Sequence, residues 1–386
     1  MTFDLILIGF GNVARRFVAL LAEQRTALAR DHDLTARVVG IATRHGQAYA
    51  ADGLKEIASD VARTVGSARH RRPEGLHYSD LFRASKGGDY LRSTTLGFLR
   101  EALTTSRLAA RQRRLVVVET TTLDIARGEP ATSHIRAALA GGAHVVTANK
   151  GPVAFAYSTL ARAAERADRR WLFEGAVMDG VPVFNLVRET LPAVNVLGFR
   201  GVVNSTTNFI LTAIEEGRSF DAALAEMQAT GIAEADASLD VDGWDAAAKT
   251  AALANVLLGA RITPHDIDRQ GISPDAGRRA VEARAAGRRL KLVASARREG
   301  RRVTARVAPE ELPANDLLAR LEGQQNAIIL ETDLLEEIAI VQRSGSLTQT
   351  AYALLSDLVT IARARRQSPR SARGRRSLSR SGRQRR

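Results

Sequence analysis

The chain has 386 residues, 45% of them hydrophobic, no cysteine and a net charge of +14. That length predicts two domains with a substantial core. The missing cysteines exclude structural disulfides, thiolate metal sites and dehydrogenases that acylate a cysteine. Eleven of the positive charges are Arg within residues 363–386, which contain no acid, so the remainder carries only +3. The basic character is thus a property of a tail. The seven histidines are scattered without HExxH or similar spacing, which argues against zinc. No apolar run is long enough to cross a bilayer, and no charged segment precedes the apolar N-terminal stretch. The expectation is therefore a cytoplasmic protein without membrane contact.

Taken in order, Phe3–Ile8 is an apolar run that predicts a buried strand. Gly9-Phe10-Gly11-Asn12-Val13-Ala14 follows, then a helical pattern from Arg15 to Arg30. This is the strand, glycine turn and helix setting of a dinucleotide site. Gly9 permits the tight turn, Gly11 lets backbone approach a pyrophosphate, and Ala14 satisfies the small third position. The helix start offers free N–H groups, at Asn12, Val13 and Ala14, to phosphate. A tight strand–helix turn in any α/β protein is the plainer alternative. A second strand, Ala36–Ala42, ends in Thr43-Arg44-His45 rather than in the carboxylate that binds an NAD ribose. Arg44 can instead pair a 2′-phosphate, so NADP(H) is expected over NAD(H), against the alternative of a surface loop arginine.

Residues 53–114 alternate helical stretches with Arg/Gly-rich breaks such as 68–73 and read as solvated surface. Leu115–Thr120 is another buried strand, followed by Thr121 and Thr122, where parallel sheets bind ligands. A helix over Pro130–Gly141 and a strand at His144–Val146 lead to Thr147-Ala148-Asn149-Lys150-Gly151-Pro152. The alternation predicts a doubly wound parallel sheet of Rossmann type over residues 1–150, with a second α+β domain over 151–325. In that second part Trp171-Leu172-Phe173 is an apolar strand ended by Glu174, and 195–204 alternates as a sheet strand does. Thr206 falls at a strand-to-helix junction, where hydroxyl and backbone can meet a small polar substrate.

The stretch 231–249 is the most distinctive. Glu234, Asp236, Asp240, Asp242 and Asp245 place five carboxylates within twelve residues, ahead of an Ala-rich helix from Trp244. Asp245 and Lys249 share one helix face. An intrahelical ion pair at a helix start accounts for those two alone, but not for the whole cluster, which sits in a loop of the kind that carries chemistry. Residues 271–300 are polar and Arg-rich, with weak strand character near 290–293. Acids recur over 327–341, then come Gly345 and a helix to Arg363. Segment 326–362 is expected to return to the nucleotide domain. The tail, 363–386, reads as disordered. It could bind nucleic acid by charge or be a functionless extension, as it has no aromatic residue to stack on bases.

The motif 147–152, the Glu-Thr-Thr strand end at 119–121, Asn204-Ser205-Thr206-Thr207-Asn208-Phe209 and the acidic stretch recur together and in order. Over residues 3–362 the chain resembles homoserine dehydrogenase. The resemblance implies reversible NADPH-dependent reduction of L-aspartate 4-semialdehyde to L-homoserine, in threonine and methionine synthesis. It also implies roles. Glu234 would bind the substrate ammonium with Asp240 assisting, beside Thr206. Asp245 would orient substrate and Lys249, and Lys249 would give its proton to the carbonyl oxygen as hydride arrives. That suits the chemistry, because a forming alkoxide needs an acid beside it and lysine, near ~10.4, is protonated at neutral pH. Cofactor contacts would come from the turn at 9–14, Arg44, Thr120, Thr121, Lys150 and Gly345. The Glu174 carboxylate, with the carbonyls of Val177, Asp179 and Val181, would hold a monovalent cation, Na+. The family usually has Gly where this chain has Ser205. A homodimer through the second domain is implied, and no regulatory amino-acid-binding domain, hence no threonine feedback through one. The rival readings are another oxidoreductase of a small amino or hydroxy acid, and a nucleic-acid binder driven by the tail.

Overall fold

The computed structural model describes residues 1–54, 94–108, 114–229, 237–272 and 274–367. The loops expected over most of 53–114, the substrate-binding candidate Glu234 and the tail beyond 367 lie outside the described residues.

The first unit runs β1 (Thr2–Ile8), α1 (Asn12–Glu23), α2 (Arg25–His32), β2 (Thr35–Thr43), β3 (Gly46–Tyr49), α3 (Thr95–Leu108), β4 (Leu115–Glu119), α4 (Ala131–Ala140), β5 (His144–Thr147), α5 (Lys150–Arg166) and β6 (Trp171–Leu172). Its six strands form one sheet in the order β3-β2-β1-β4-β5-β6. Neighbours are parallel except β3, which turns back antiparallel on β2. β1 and β4 are buried on both faces, which is why they read as unbroken apolar runs. Along β1, Phe3, Leu5 and Leu7 join α1 residues such as Phe17 and Val18 on one side. Ile6 and Ile8 join Phe98 and Leu99 of α3 and Ile135 of α4 on the other. The period-two alternation thus feeds two helical layers, and the fold is the doubly wound one expected. The single helix expected over Arg15–Arg30 is two, broken at Gln24.

The second unit runs β7 (Val196–Val202), α6 (Ser205–Glu215), α7 (Phe220–Ala229), α8 (Ser238–Val241), α9 (Trp244–Leu257), β8 (Asp268–Arg269), α10 (Pro274–Ala285), β9 (Arg288–Glu299), β10 (Arg302–Pro313), β11 (Asn326–Thr332) and β12 (Glu337–Gln342). Its strands form a second sheet in the order β12-β11-β7-β9-β10-β8. The weak strand expected near 290–293 is the middle of a long antiparallel hairpin, β9–β10. Only that middle is covered; the arginines at both ends stand in solvent and mask the strand pattern. One stretch of the sheet's open face forms a cavity of about 670 Å³ lined by charges of both signs, including Arg200, Arg297, Glu331 and Glu337.

The sheets divide the chain at other places than the expected boundaries. β6, beyond residue 151, pairs with β5 in the nucleotide sheet. β11 and β12, expected in the returning segment, pair into the second sheet. What returns is α11 (Leu347–Gln367), whose Leu354, Leu355, Leu358 and Ile361 pack with Phe3, Leu5 and Phe17.

Candidate functional site

Gly9 leaves β1 with φ +85°, and a Cβ there would lie 2.7 Å from the Thr120 carbonyl, so the turn is closed to any side chain. A Cβ on Gly11 would meet nothing within 4 Å. Gly11 is also the N-cap of α1 and supplies no capping side chain, so the N–H groups that open the helix at Asn12, Val13 and Ala14 are left to a ligand. This is the cradle a pyrophosphate requires. Thr120 and Thr121 stand beside it at the end of β4. The Thr120 hydroxyl donates to the Gly9 carbonyl at 3.2 Å, and the Thr121 hydroxyl donates to the buried Glu119 carboxylate. Thr147 donates to Glu119 as well, and Asn149 donates to the Thr121 carbonyl at 3.1 Å while capping α5 through Gly151. The Glu-Thr-Thr and Thr-Ala-Asn-Lys motifs thus brace each other at neighbouring strand ends.

Arg44 lies in the tight turn between β2 and β3, exposed, with its Nε donating to His45 at 2.9 Å. Gly345 lies against Asp179; a Cβ there would come 2.7 Å from the Asp179 carboxylate. Arg16 of α1 donates to Thr348 at 2.9 Å, which draws the start of α11 onto the nucleotide turn.

The acidic stretch meets this edge at Lys150. Its Nζ is 3.1 Å from Asp245 Oδ1, and Lys249 Nζ is 2.9 Å from Asp245 Oδ2. The bland reading of Asp245 and Lys249 as one intrahelical pair is therefore incomplete, because Asp245 carries two lysines from two domains. Lys249 Nζ also donates to the Val203 carbonyl at 2.7 Å. Burial pushes the Asp245 carboxyl up, but the ammoniums of Lys249 and Lys150 more than reverse this and hold it below the ordinary carboxylate range. Burial likewise works against the Lys249 ammonium; Asp245, with Asp179 and Asp240 behind it, overcomes this and raises Lys249 above its ordinary value. Asp240 is raised by burial and then by the charge of Asp245, while Asn204, Lys249 and the Thr206 hydroxyl pull the other way. Asp240, Asp245, Lys249, Lys150 and Thr206 are thus brought together. Sequence reasoning missed Asn204, whose side-chain amide donates to both Asp240 and Asp245; an asparagine before a helix reads simply as a cap.

Ser205 opens α6, and its hydroxyl accepts from Asn326 at 2.8 Å. Asn326 donates to Gln342, and Gln342 donates to Asp179 at 2.9 Å. Thr350 donates to the other Asp179 oxygen, also at 2.9 Å. The serine is thereby held toward the second sheet.

The cation ligand set needs correction at Glu174. Its carboxylate accepts the backbone N–H groups of Val183 at 2.6 Å, Phe184 at 2.9 Å and Asn185 at 2.6 Å. A carboxylate cradled by three donors does not fit as a cation's ligand, because the N–H dipoles that hold the anion would repel the ion. Asp357 lies beneath it, accepting from the Glu174 N–H and from Asn185, and burial pushes its carboxyl up to about 7. Among the described residues, no group of three or more His, Cys, Asp or Glu side chains is placed to hold a metal. No helix among the described residues is long and apolar enough to cross a membrane.

A sequence model of the homoserine dehydrogenase NAD-binding domain matches residues 9–174, and one of homoserine dehydrogenase itself matches residues 182–359. A protein named NAD(+)-dependent homoserine dehydrogenase from Pseudomonas canavaninivorans is 35% identical over 93% of this chain and 96% of its own length. A homoserine dehydrogenase of Methanocaldococcus jannaschii is 32% identical over 93% and 98%. The crystal structure of a putative homoserine dehydrogenase from Archaeoglobus fulgidus superposes with a TM-score of 0.74 at 27% identity, covering 93% of this chain and 99% of that one. A hyperthermophilic archaeal homoserine dehydrogenase mutant in complex with NADPH gives a TM-score of 0.73 at 25% identity, covering 94% and 98%.

Proposed function

The chain belongs to the homoserine dehydrogenase family, and we propose that its Lys150–Asp245–Lys249 cluster is where the protons of that reaction are handled. The protein is a nicotinamide-dependent oxidoreductase that interconverts L-aspartate 4-semialdehyde and L-homoserine. The cofactor, when bound, supplies or accepts the hydride. Lys249 gives a proton to the carbonyl oxygen as the alkoxide forms, and takes it back in the oxidation. Asp245 keeps that lysine charged and aimed. Thr206 and Asp240 meet the polar end of the substrate, with Glu234 as the ammonium ligand. The observation that carries this is Asp245 bridging two lysines at 2.9 and 3.1 Å, one on the nucleotide side and one on the catalytic helix.

The turn at 9–14 with Thr120, Thr121 and the segment at Gly345 forms the cofactor edge. We infer NADP(H) over NAD(H), supported by the absence of a carboxylate in the Thr43-Arg44-His45 turn. The relative named as NAD(+)-dependent favours the second reading, and the archaeal complex with NADPH favours the first. A sodium ion, if bound, would meet backbone carbonyls at Val177, Asp179 and Val181 without help from the Glu174 carboxylate; no step above depends on it. A homodimer through the second domain and a cytoplasmic location complete the proposal. The deciding experiment is reduction of NADP+ and of NAD+ with L-homoserine, by wild type and by Lys249→Ala. NADP+-dependent turnover that collapses in the variant is expected. A variant that retains turnover refutes Lys249 as the proton carrier.

A further inference from the structure

Asn204 is 4% exposed and caps α6 from extended backbone, with its Oδ1 accepting the Thr207 N–H at 2.8 Å and the Thr207 hydroxyl at 3.0 Å. Capping accounts for that half of the side chain only. The other half, Nδ2, donates to Asp240 Oδ1 at 2.6 Å and to Asp245 Oδ2 at 2.9 Å. Both lone pairs and both N–H bonds of the amide are therefore in use. Ser, Thr and Asp cap a helix about as well as Asn. None of them can cap and also offer two donors on the far side: a hydroxyl has one hydrogen, and a carboxylate has none.

The two carboxylates that share Nδ2 come from separate elements, Asp240 on α8 and Asp245 on α9, with Gly243 between them at φ +78°. Like charges so placed repel, and a donor common to both offsets that repulsion. Asp245 Oδ2 is also the oxygen that Lys249 approaches, and Lys249 is held in turn by the carbonyl of Val203, the residue next to Asn204. Two consecutive residues therefore hold both members of the pair, Val203 the lysine and Asn204 the carboxylate.

We propose that Asn204 is a positioning residue for the reaction: its amide clamps Asp240 to Asp245 and fixes the Asp245 carboxylate in the orientation that aims Lys249. The inference rests on the reading of Lys249 as proton carrier. With the clamp removed, Asp245 turns away from Asp240, and the lysine follows it by some fraction of an ångström. Displacements of about 1 Å at a reacting group cost on the order of 100-fold in rate.

The test uses Asn204→Ser and Asn204→Asp, which both keep the helix cap, with Asn204→Ala, which loses it. All are measured in the full chain for melting temperature, NADPH dissociation constant, and kcat and KM with L-homoserine. The clamp predicts that Ser leaves melting temperature and NADPH binding near wild type, and that Asp keeps NADPH binding but melts earlier, because its carboxylate is buried against Asp240 and Asp245. It predicts a kcat about 10- to 100-fold lower in Ser, and lower still in Asp, where a third carboxylate faces the other two. Ala should match Ser in kcat and melt earlier. A purely structural cap predicts near-wild-type kcat in Ser and Asp and a loss only in Ala, and that pattern overturns the proposal. So does a fall of kcat that tracks melting temperature or NADPH affinity across all three. Lys249→Ala in the same series separates the two ideas: if it keeps turnover, the reading of Lys249 fails, whatever Asn204 does.

Discussion

Replacing Asp245 by Asn removes one charge and almost no volume, from a position where that charge faces Lys249 at 2.9 Å and Lys150 at 3.1 Å. With an effective dielectric near 20, a pair at that spacing is worth about 6 kcal/mol before the cost of burial is set against it. Burial already works against the Lys249 ammonium, and Asp245 is the chief group opposing it. Asp179 and Asp240 remain in the variant and recover part of the effect. The expected outcome is a Lys249 ammonium that gives up its proton at lower pH than in wild type, because burial then outweighs the carboxylates that remain. Aldehyde reduction requires the ammonium, so its rate is present below the lysine pKa and lost as pH rises through it. The alkaline limb for reduction of aspartate 4-semialdehyde should therefore move to lower pH than in wild type. The assay is initial NADPH oxidation from pH 6 to pH 11, with cofactor binding measured at each end. A limb that stays in place, whether or not kcat falls, refutes the argument that Asp245 sets the protonation of Lys249.

Lys291 is fully buried, donating to Asn208 and to the Leu321 carbonyl, and burial lowers it to about 8. Between that value and its ordinary 10.5 the unfolded chain binds the proton and the folded chain does not, so this group adds stability as pH rises through the window. The difference in unfolding free energy between wild type and Lys291→Met should grow in favour of wild type by about 3 kcal/mol from pH 7 to pH 10.5; a pH-independent difference contradicts it. Arg44→Ala should lower kcat/KM for NADP+ about 10- to 100-fold, as loss of a charged hydrogen bond does, and leave NAD+ nearly unchanged; equal loss for both cofactors rules out a 2′-phosphate contact. Glu174→Gln leaves one oxygen and an NH2 group to face three backbone donors, and should cost ~2–4 kcal/mol in urea unfolding. If it alters the sodium dependence of activity but not stability, the carboxylate is a cation ligand after all.

The nucleotide edge was legible because it is local: a buried strand, two glycines and a helix start fall within fourteen consecutive residues. Lys249 and Asp245 were legible as a pair for the same reason. Lys150 was assigned to the cofactor edge through its motif, but nothing in its neighbourhood along the chain shows that its ammonium reaches Asp245, ninety-five positions away. Asn204 was hidden by its second role as a cap. Glu174 misled because a carboxylate ending a strand looks alike whether it faces a cation or a row of N–H groups, and the donors lie nine to eleven residues further on. The β9–β10 hairpin was obscured by arginines that report where solvent is, not where the strand stops.

One face of the nucleotide sheet is covered by α1 (Asn12–Glu23) and by α11 (Leu347–Gln367), the second of which begins only long after β1 (Thr2–Ile8) has been made. A ribosome that has released the first 172 residues has delivered every strand of that sheet but not its lid. Phe3, Leu5 and Leu7 must wait, on one side unsealed, while the whole catalytic unit emerges. The unit made second is therefore the first able to finish folding, and the usual order of synthesis, N-terminal domain first, is inverted. A nascent chain stalled short of Leu354 should present that apolar face to chaperones and proteases, and protection should arrive late and all at once.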